Sequence, residues 1–391
     1  MASDSFQLCS EAAWSEFRER LAARPDSREL LAREADAWLA SGPISIVAKK
    51  HVAPSGDPHD YTSIGPYWWP DPAKPDGLPW ISRDGEVNPV FYEYDNRRLE
   101  SLCHALTHLI LHAATTGSEP HARAAGRFLR TWFLDDATRM NPHLRYAQFV
   151  PGHADGRGIG IIDTTSFVFG LNLVSRLPFS EDWTPAHLAA LKEWFSSYVD
   201  WLLTSDNGRH EAAERNNHGT WYDVQVAAFS IFSGRPELAE KVIATTVRER
   251  LSSQLEPDGS QPHELARTLS LTYTTYNLLG FACLAEMARS HGVDRWRWKT
   301  SRGASLLAGV EWMRPYYSGE KPWTHKQLKP FNLSAASLLL NLAAQGTGDA
   351  AWSDLAQRLA EHPWKAIHFS KADLSGRKVP KSGEGIGAGR D

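Results

Sequence analysis

Cysteine is scarce: Cys9, Cys103 and Cys283 are the only three in 391 residues. They are odd in number and far apart, which indicates neither a disulfide framework nor a thiolate zinc cluster. A basic excess is missing as well. Lys and Arg total 42 against 46 for Asp and Glu, a formal charge of −4, so nucleic acid is not an expected partner. No apolar run reaches the roughly 18 residues of a membrane-spanning helix, so no membrane partner is expected. The opening MASDSFQLCSEAAW lacks a charged region followed by an apolar one, which leaves either a cytoplasmic protein or a chain whose signal has been removed. Asp and Glu form no cluster with ligand spacing, so no metal and no cofactor is expected.

What is present is aromatic. There are 16 Trp, 11 Tyr and 15 Phe, and indole rings suit both core packing and stacking on sugar rings. Most of them are expected in the core. Apolar positions recur with a 3.6-residue period over about 11–23, 27–40, 96–117, 118–134, 163–177, 185–204, 219–233, 236–255, 272–290, 303–314, 331–345 and 350–361. Start signals such as Thr184-Pro185 and Gly234-Arg235-Pro236 punctuate them. Strand signals are few. The pattern predicts an all-α fold, an incomplete (α/α) toroid or barrel of paired antiparallel helices, with the irregular stretches 43–95 and 141–160 as loops walling a cleft. A single domain is expected over residues 1–367. Residues 368–391 are basic and glycine-rich and are expected to form a flexible tail.

Four clusters carry chemistry. In Arg215-Asn216-Asn217-His218-Gly219-Thr220-Trp221-Tyr222-Asp223, Asn217 and His218 fall at a helix start, where free N–H groups favour an anion and disfavour imidazolium. The plainer alternative is an N-cap followed by a satisfied histidine. In Asp258-Gly259-Ser260-Gln261-Pro262-His263-Glu264-Leu265-Ala266-Arg267, a turn leads to a fixed cation, then to Tyr273 and Tyr276. Arg267 and Tyr273 lie about 120° apart on an ideal helix, so they converge only if the helix begins near Ser270 or Thr272. Tyr273 and Tyr276 also fit a buried stripe with no catalytic part. The proline-broken stretch 51–80 holds His59, Tyr61, Trp68 and Trp69, and it leaves open whether the indoles touch sugar or anchor the loop. Gln148 and the run Gly156-Arg157-Gly158-Ile159-Gly160 complete the set. That run lacks the Lys-Ser/Thr of a phosphate loop.

Together, Asn216-Asn217-His218-Gly219-Thr220-Trp221-Tyr222-Asp223-Val224-Gln225, Asp258-Gly259-Ser260-Gln261-Pro262 and Glu264-Leu265-Ala266-Arg267-Thr268 resemble the alginate lyase superfamily of helical-toroid polysaccharide lyases. Ser55-Gly56-Asp57, His59-Asp60-Tyr61 and Pro66-Tyr67-Trp68-Trp69-Pro70-Asp71-Pro72 are more similar to polysaccharide lyase family thirty-eight, which cleaves glucuronan or alginate, than to family five. The resemblance covers about residues 45–345. It implies Asn217, His218, Arg267 and Tyr273 as catalytic residues. It further implies His59, Tyr61, Trp68, Trp69, Gln148, Arg157 and Tyr276 as contacts to an acidic polysaccharide. Family-five enzymes have one more residue between the arginine and the tyrosine, which keeps Tyr276 as a second candidate for the tyrosine's role. The compartment implied is periplasmic or secreted. Oligomeric state is not indicated.

The implied reaction is β-elimination: the C5 proton of a 1,4-linked uronate leaves, O4 is expelled and a 4,5-unsaturated sugar remains. Removing a proton beside a carboxylate loads a second negative charge on the same group, which donors such as Asn217 and Arg267 must absorb. Tyr273 would protonate O4, and it or His218 would take the C5 proton. Two rivals are a glycoside hydrolase recruiting two of Asp60, Asp95, Asp223 and Glu264, and a non-catalytic carbohydrate-binding protein.

Overall fold

A computed structural model describes residues 8–370. In chain order its helices are α1 (Glu11–Ala22), α2 (Pro25–Ser41), α3 (Asp95–Thr116), α4 (Glu119–Phe133), α5 (Thr165–Val174), α6 (Pro185–Thr204), α7 (Asp206–Ala213), α8 (Asn217–Phe232), α9 (Pro236–Gln254), α10 (Pro262–Leu265), α11 (Ser270–Ser290), α12 (Leu306–Tyr317), α13 (Ser337–Thr347) and α14 (Ala350–Leu359). Four short strands, β1 (Thr62–Ile64), β2 (Trp68–Trp69), β3 (Ile81–Ser82) and β4 (Tyr146–Phe149), lie in the loops. The class is all-α, as the periodicity predicts. By packing, the described chain divides into two compact units, residues 29–211 and residues 8–28 with 212–370.

In the unit of residues 29–211, α3 packs on α4 and on α5. Gly117, in the left-handed region at φ 74°, ends α3 where a side chain would be strained. Thr184 caps α6: its hydroxyl accepts from the His187 N–H at 3.3 Å, and His187 Nδ1 accepts from the Thr184 N–H at 3.1 Å, so two orphan donors are satisfied reciprocally. Phe133, Phe167, Trp194 and Phe195 form a core cluster, with ring centroids 4.8 Å apart for Phe133 and Trp194. β1 pairs parallel with β4, Thr62 opposite Tyr146 and Ile64 opposite Phe149, with an irregularity between. β2 pairs antiparallel with β3, Trp68 opposite Ser82. The stretch between residues 43 and 95 is therefore a braced loop.

In the other unit, α8 packs on α9 and α11, α11 on α13, and α13 on α14. The three-residue connection 233–235 turns α8 back into α9. α8 and α11 are buried on nearly every side, as helices that are apolar all round must be. Of the expected tail, His368 and Phe369 are buried instead. The His368 N–H donates to the Trp364 carbonyl at 2.8 Å and Phe369 stacks 6.1 Å from Tyr276. Residues 371–391 lie outside the described residues.

Candidate active site

Asn216 caps α8, its Oδ1 accepting the His218 N–H at 2.9 Å. That sets Asn217 as the first residue of the helix, with no exposed surface. Gly219 is required in the same first turn, since a Cβ there would fall 2.1 Å from the Glu214 carbonyl oxygen and 2.2 Å from an Arg250 nitrogen. Arg250 fills that space, donating to the Glu214 and Ala212 carbonyls at 2.7 and 2.9 Å and pairing with Asp223. The chain entering α8 is held by this guanidinium.

Further along the chain, the Asp258-Gly259 turn, with Gly259 at φ 91°, leads into the one-turn helix α10 and places Glu264, forty-seven residues after Asn217, against it. Glu264 accepts the Asn217 backbone N–H at 2.7 Å and its side-chain amide at 3.1 and 3.0 Å. Burial pushes the Glu264 carboxyl above the usual range, while these hydrogen bonds and the nearby charges of Arg267 and His218 pull it back. Asn217 Oδ1 is buried with no hydrogen-bond partner among the described residues. Gln261 fastens α10 to α11, donating to the Thr274 carbonyl at 3.2 Å and accepting from Asn277 at 2.7 Å.

α11 begins at Ser270, which meets the condition for convergence: the Arg267 guanidinium carbon lies 3.9 Å from the Tyr273 ring centroid. Asn217, His218, Glu264, Arg267 and Tyr273 thus gather in one unit. Tyr276 does not join them. It is 2% exposed, stacked on Trp221 at 4.5 Å, and its carbonyl accepts the Trp221 indole N–H at 3.1 Å. The expected substrate contact at Tyr276 is corrected to a core ring.

In residues 29–211 the expected contacts divide in two. Tyr61 is fully buried and donates its hydroxyl to Asp163 at 3.1 Å; burial and the Asp163 charge raise its phenol well above the usual range. It too is corrected from a substrate contact to a core residue. Gln148 is nearly buried, donates to Asp163 at 2.9 Å, and sits at φ 47°, a left-handed conformation that costs a non-glycine residue about 1 kcal/mol or more. Its carbonyl accepts from Arg157 Nε at 2.8 Å. Arg157 lies 5.4 Å from the Trp68 ring, and burial pushes its guanidinium down to about 10. Trp68 also meets His153 at 5.1 Å. Gln148, Arg157 and Trp68 are therefore brought together. Trp69, partly exposed, donates its indole N–H to the Glu86 carbonyl at 2.9 Å and faces Arg83. His59 is spent on the loop, Nδ1 donating to the Arg139 carbonyl at 2.6 Å. Beside them a cleft of about 680 Å³ is lined in part by Lys50, His51, Tyr94, Phe149, His153 and Asp155.

The hydrolase carboxylates fail on geometry. Asp60, Asp95, Asp223 and Glu264 are each at most 5% exposed and engaged by Asn141, Lys49, Arg250 and Asn217 respectively, so no pair flanks an open bond. Among the described residues no group of three or more His, Cys, Asp or Glu is placed to hold a metal. No helix there is long and apolar enough to cross a membrane.

The family model described as alginate lyase matches residues 45–323. The chain belongs to the alginate lyase family. As a member it is a polysaccharide lyase, and its fold is of the α/α-toroid kind. It is similar to a solved alginate lyase from Bacteroides ovatus at 36% identity and TM-score 0.86, over 95% of this chain and 99% of that one. It also resembles alginate lyase A1-III from Sphingomonas species A1 at 16% identity and TM-score 0.57, over 94% and 96%. A histidine-to-alanine variant of that enzyme, complexed with tetrasaccharide, aligns at 16% identity and TM-score 0.54, over 93% and 98%. These last two likenesses show the fold alone. No curated protein matches. Sequence reasoning missed Glu264 as the partner of Asn217. The one available signal was its place three residues before Arg267.

Proposed function

We propose that this lyase cleaves 1,4-linked polyuronates by β-elimination, with alginate of the mannuronate type preferred and glucuronan the second substrate. The observation that carries the reading is the Arg267 guanidinium over the Tyr273 ring, with Arg267 and His218 both close enough to Glu264, the partner of Asn217, to act on its charge. The family match and the Bacteroides ovatus neighbour, described as an alginate lyase, support the substrate class.

In this mechanism Arg267 neutralises the sugar carboxylate where charge accumulates as the C5 proton leaves, which stabilises the transition state more than the ground state. A cation over the phenol also favours negative charge on its oxygen, so Tyr273 can take the C5 proton and return it to O4. One phenol suffices when C5–H and O4 lie on the same face, as in β-D-mannuronate and β-D-glucuronate. In α-L-guluronate they lie on opposite faces, and His218 is the base with Tyr273 the acid. Asn217 reaches the carboxylate only if its amide turns away from Glu264.

The test is incubation with polymannuronate, polyguluronate and glucuronan separately, following absorbance of the unsaturated product. Fastest growth on polymannuronate is expected. Fastest growth on polyguluronate contradicts the preference, and products without a double bond contradict the reaction.

A further inference from the structure

The segment 321–329, Lys-Pro-Trp-Thr-His-Lys-Gln-Leu-Lys, has no role in the mechanism above, yet it is bound along the stretch between Arg267 and Tyr273. Leu269 and Gln327 form an antiparallel bridge. Ser270 donates its N–H and its hydroxyl to the Lys326 carbonyl at 3.0 and 2.7 Å, and the Leu328 N–H donates to Thr268 at 3.0 Å. The Gln327 amide accepts from the Leu271 N–H and donates to the Thr272 hydroxyl, both at 3.0 Å, satisfying a free donor at the start of α11. The Trp323 indole N–H completes the clasp, donating to the Ser270 hydroxyl at 3.0 Å.

Above this clasp the rings stay at the surface. Trp312 and Tyr316 of α12 meet Trp323 edge to face at 5.9 and 4.9 Å, and His325 lies 5.2 Å from it. The three larger rings are partly exposed and His325 is exposed, unlike Trp221 or Trp296, which are sealed in the core of the same unit. Lys321, Lys326 and Lys329 lie on the same segment as Trp323, all exposed and, among the described residues, none in an ion pair. Nearby Arg297 and Arg302 are paired, with Asp294 and Glu256. Two exposed carboxylates lie next to the patch in sequence, Glu311 before Trp312 and Glu320 before Lys321; Glu320 accepts from Ser318 at 2.9 Å.

We propose that Trp312, Tyr316, Trp323, Lys321, Lys326 and Lys329 form a binding subsite for the uronate chain, next to Tyr273 and continuous with it. Flat apolar faces stack on sugar rings, and a row of uncompensated ammonium groups matches a polymer that carries one carboxylate on every residue. A neutral polysaccharide would gain only the stacking. This rests on the polyuronate reading and extends it: the segment holds the polymer while Arg267 and Tyr273 act on one of its bonds.

The test uses the full chain with Tyr273→Phe, so that ligand is retained, and titrates mannuronate oligosaccharides calorimetrically at two salt concentrations. Adding K321A, K326A and K329A together should weaken binding roughly tenfold, from exposed charges each contributing a little, and should flatten its salt dependence. Adding Trp312→Ala instead should weaken binding at both salt concentrations alike. All of these positions are at least partly exposed, and the one that takes part in the clasp to Ser270, Lys326, does so through its backbone carbonyl, which the alanine variant keeps. Unchanged affinity and salt slope in the lysine variant overturn the subsite. Unsaturated product from the wild-type protein, measured in parallel, reports on the polyuronate reading: its presence beside unchanged lysine-variant affinity sinks the subsite alone.

Discussion

The guanidinium of Arg267 lies over the ring of Tyr273, 3.9 Å from carbon to centroid, because a one-turn helix ends at Leu265 and the next begins at Ser270. A continuous helix through 262–290 would have carried the two side chains onto different faces. Arginine stacks in this way and lysine does not. Arg267→Lys should therefore lower kcat at least tenfold, with KM for polymannuronate changed less, in steady-state kinetics. A kcat near wild type would mean that a point charge suffices.

Glu264 holds Asn217 through three hydrogen bonds while buried. Removing it in Glu264→Ala leaves the Asn217 donors unmatched and should destabilise the protein by about 1–3 kcal/mol. It should also lower kcat. Glu264→Gln keeps the shape and should restore most of both. The pH dependence has a definite sign. The folded carboxyl is raised above its unfolded value, so its favourable contribution is complete below the ordinary Glu range of about 4.3 and is lost as pH rises through the folded value. Melting temperatures of wild type and Glu264→Gln should thus diverge in favour of the glutamine variant as pH is raised from 4 to 8. A constant difference would contradict this.

Asp163 gathers Tyr61, Ser63 and Gln148 by hydrogen bonds of 3.1, 2.6 and 2.9 Å, and through Gln148 it holds the position of Arg157. Asp163→Ala leaves three buried donors without their acceptor, at a cost of about 3 kcal/mol or more. KM should rise while kcat changes little. Urea denaturation and steady-state kinetics together check it; an unchanged KM would detach Gln148 and Arg157 from substrate binding.

Tyr276 separates packing from chemistry. Its ring is stacked between Trp221 and Phe369, so Tyr276→Phe should retain nearly full kcat/KM, whereas Tyr276→Ala should lose roughly 3–5 kcal/mol of stability through the cavity. A strongly reduced kcat in the phenylalanine variant would return Tyr276 to the mechanism.

The helices were legible because their ends are chemically marked. Thr184-Pro185 and Arg235-Pro236 start α6 and α9 where the sequence places them. α7, eight mostly polar residues, and α10, a single turn, carry no stripe to read, and strands of two to four residues show no period. Within the site, the meeting of Arg267 and Tyr273 could be stated as a condition on one helix start. The Asn217–Glu264 contact could not, since a pairing across forty-seven residues leaves no local trace. Tyr61 and Tyr276 misled for a common reason: a tyrosine ring packed in the core and one that meets a ligand look alike in sequence.

Turnover and binding by Tyr273→Phe on mannuronate substrates test the account most directly. Wild type should accumulate product absorbing near the ultraviolet edge, while the variant should bind oligosaccharide with little loss of affinity and form no detectable double bond. A variant that eliminates at near wild-type rate would remove the phenol from proton transfer and contradict the mechanism built on Arg267 and Tyr273.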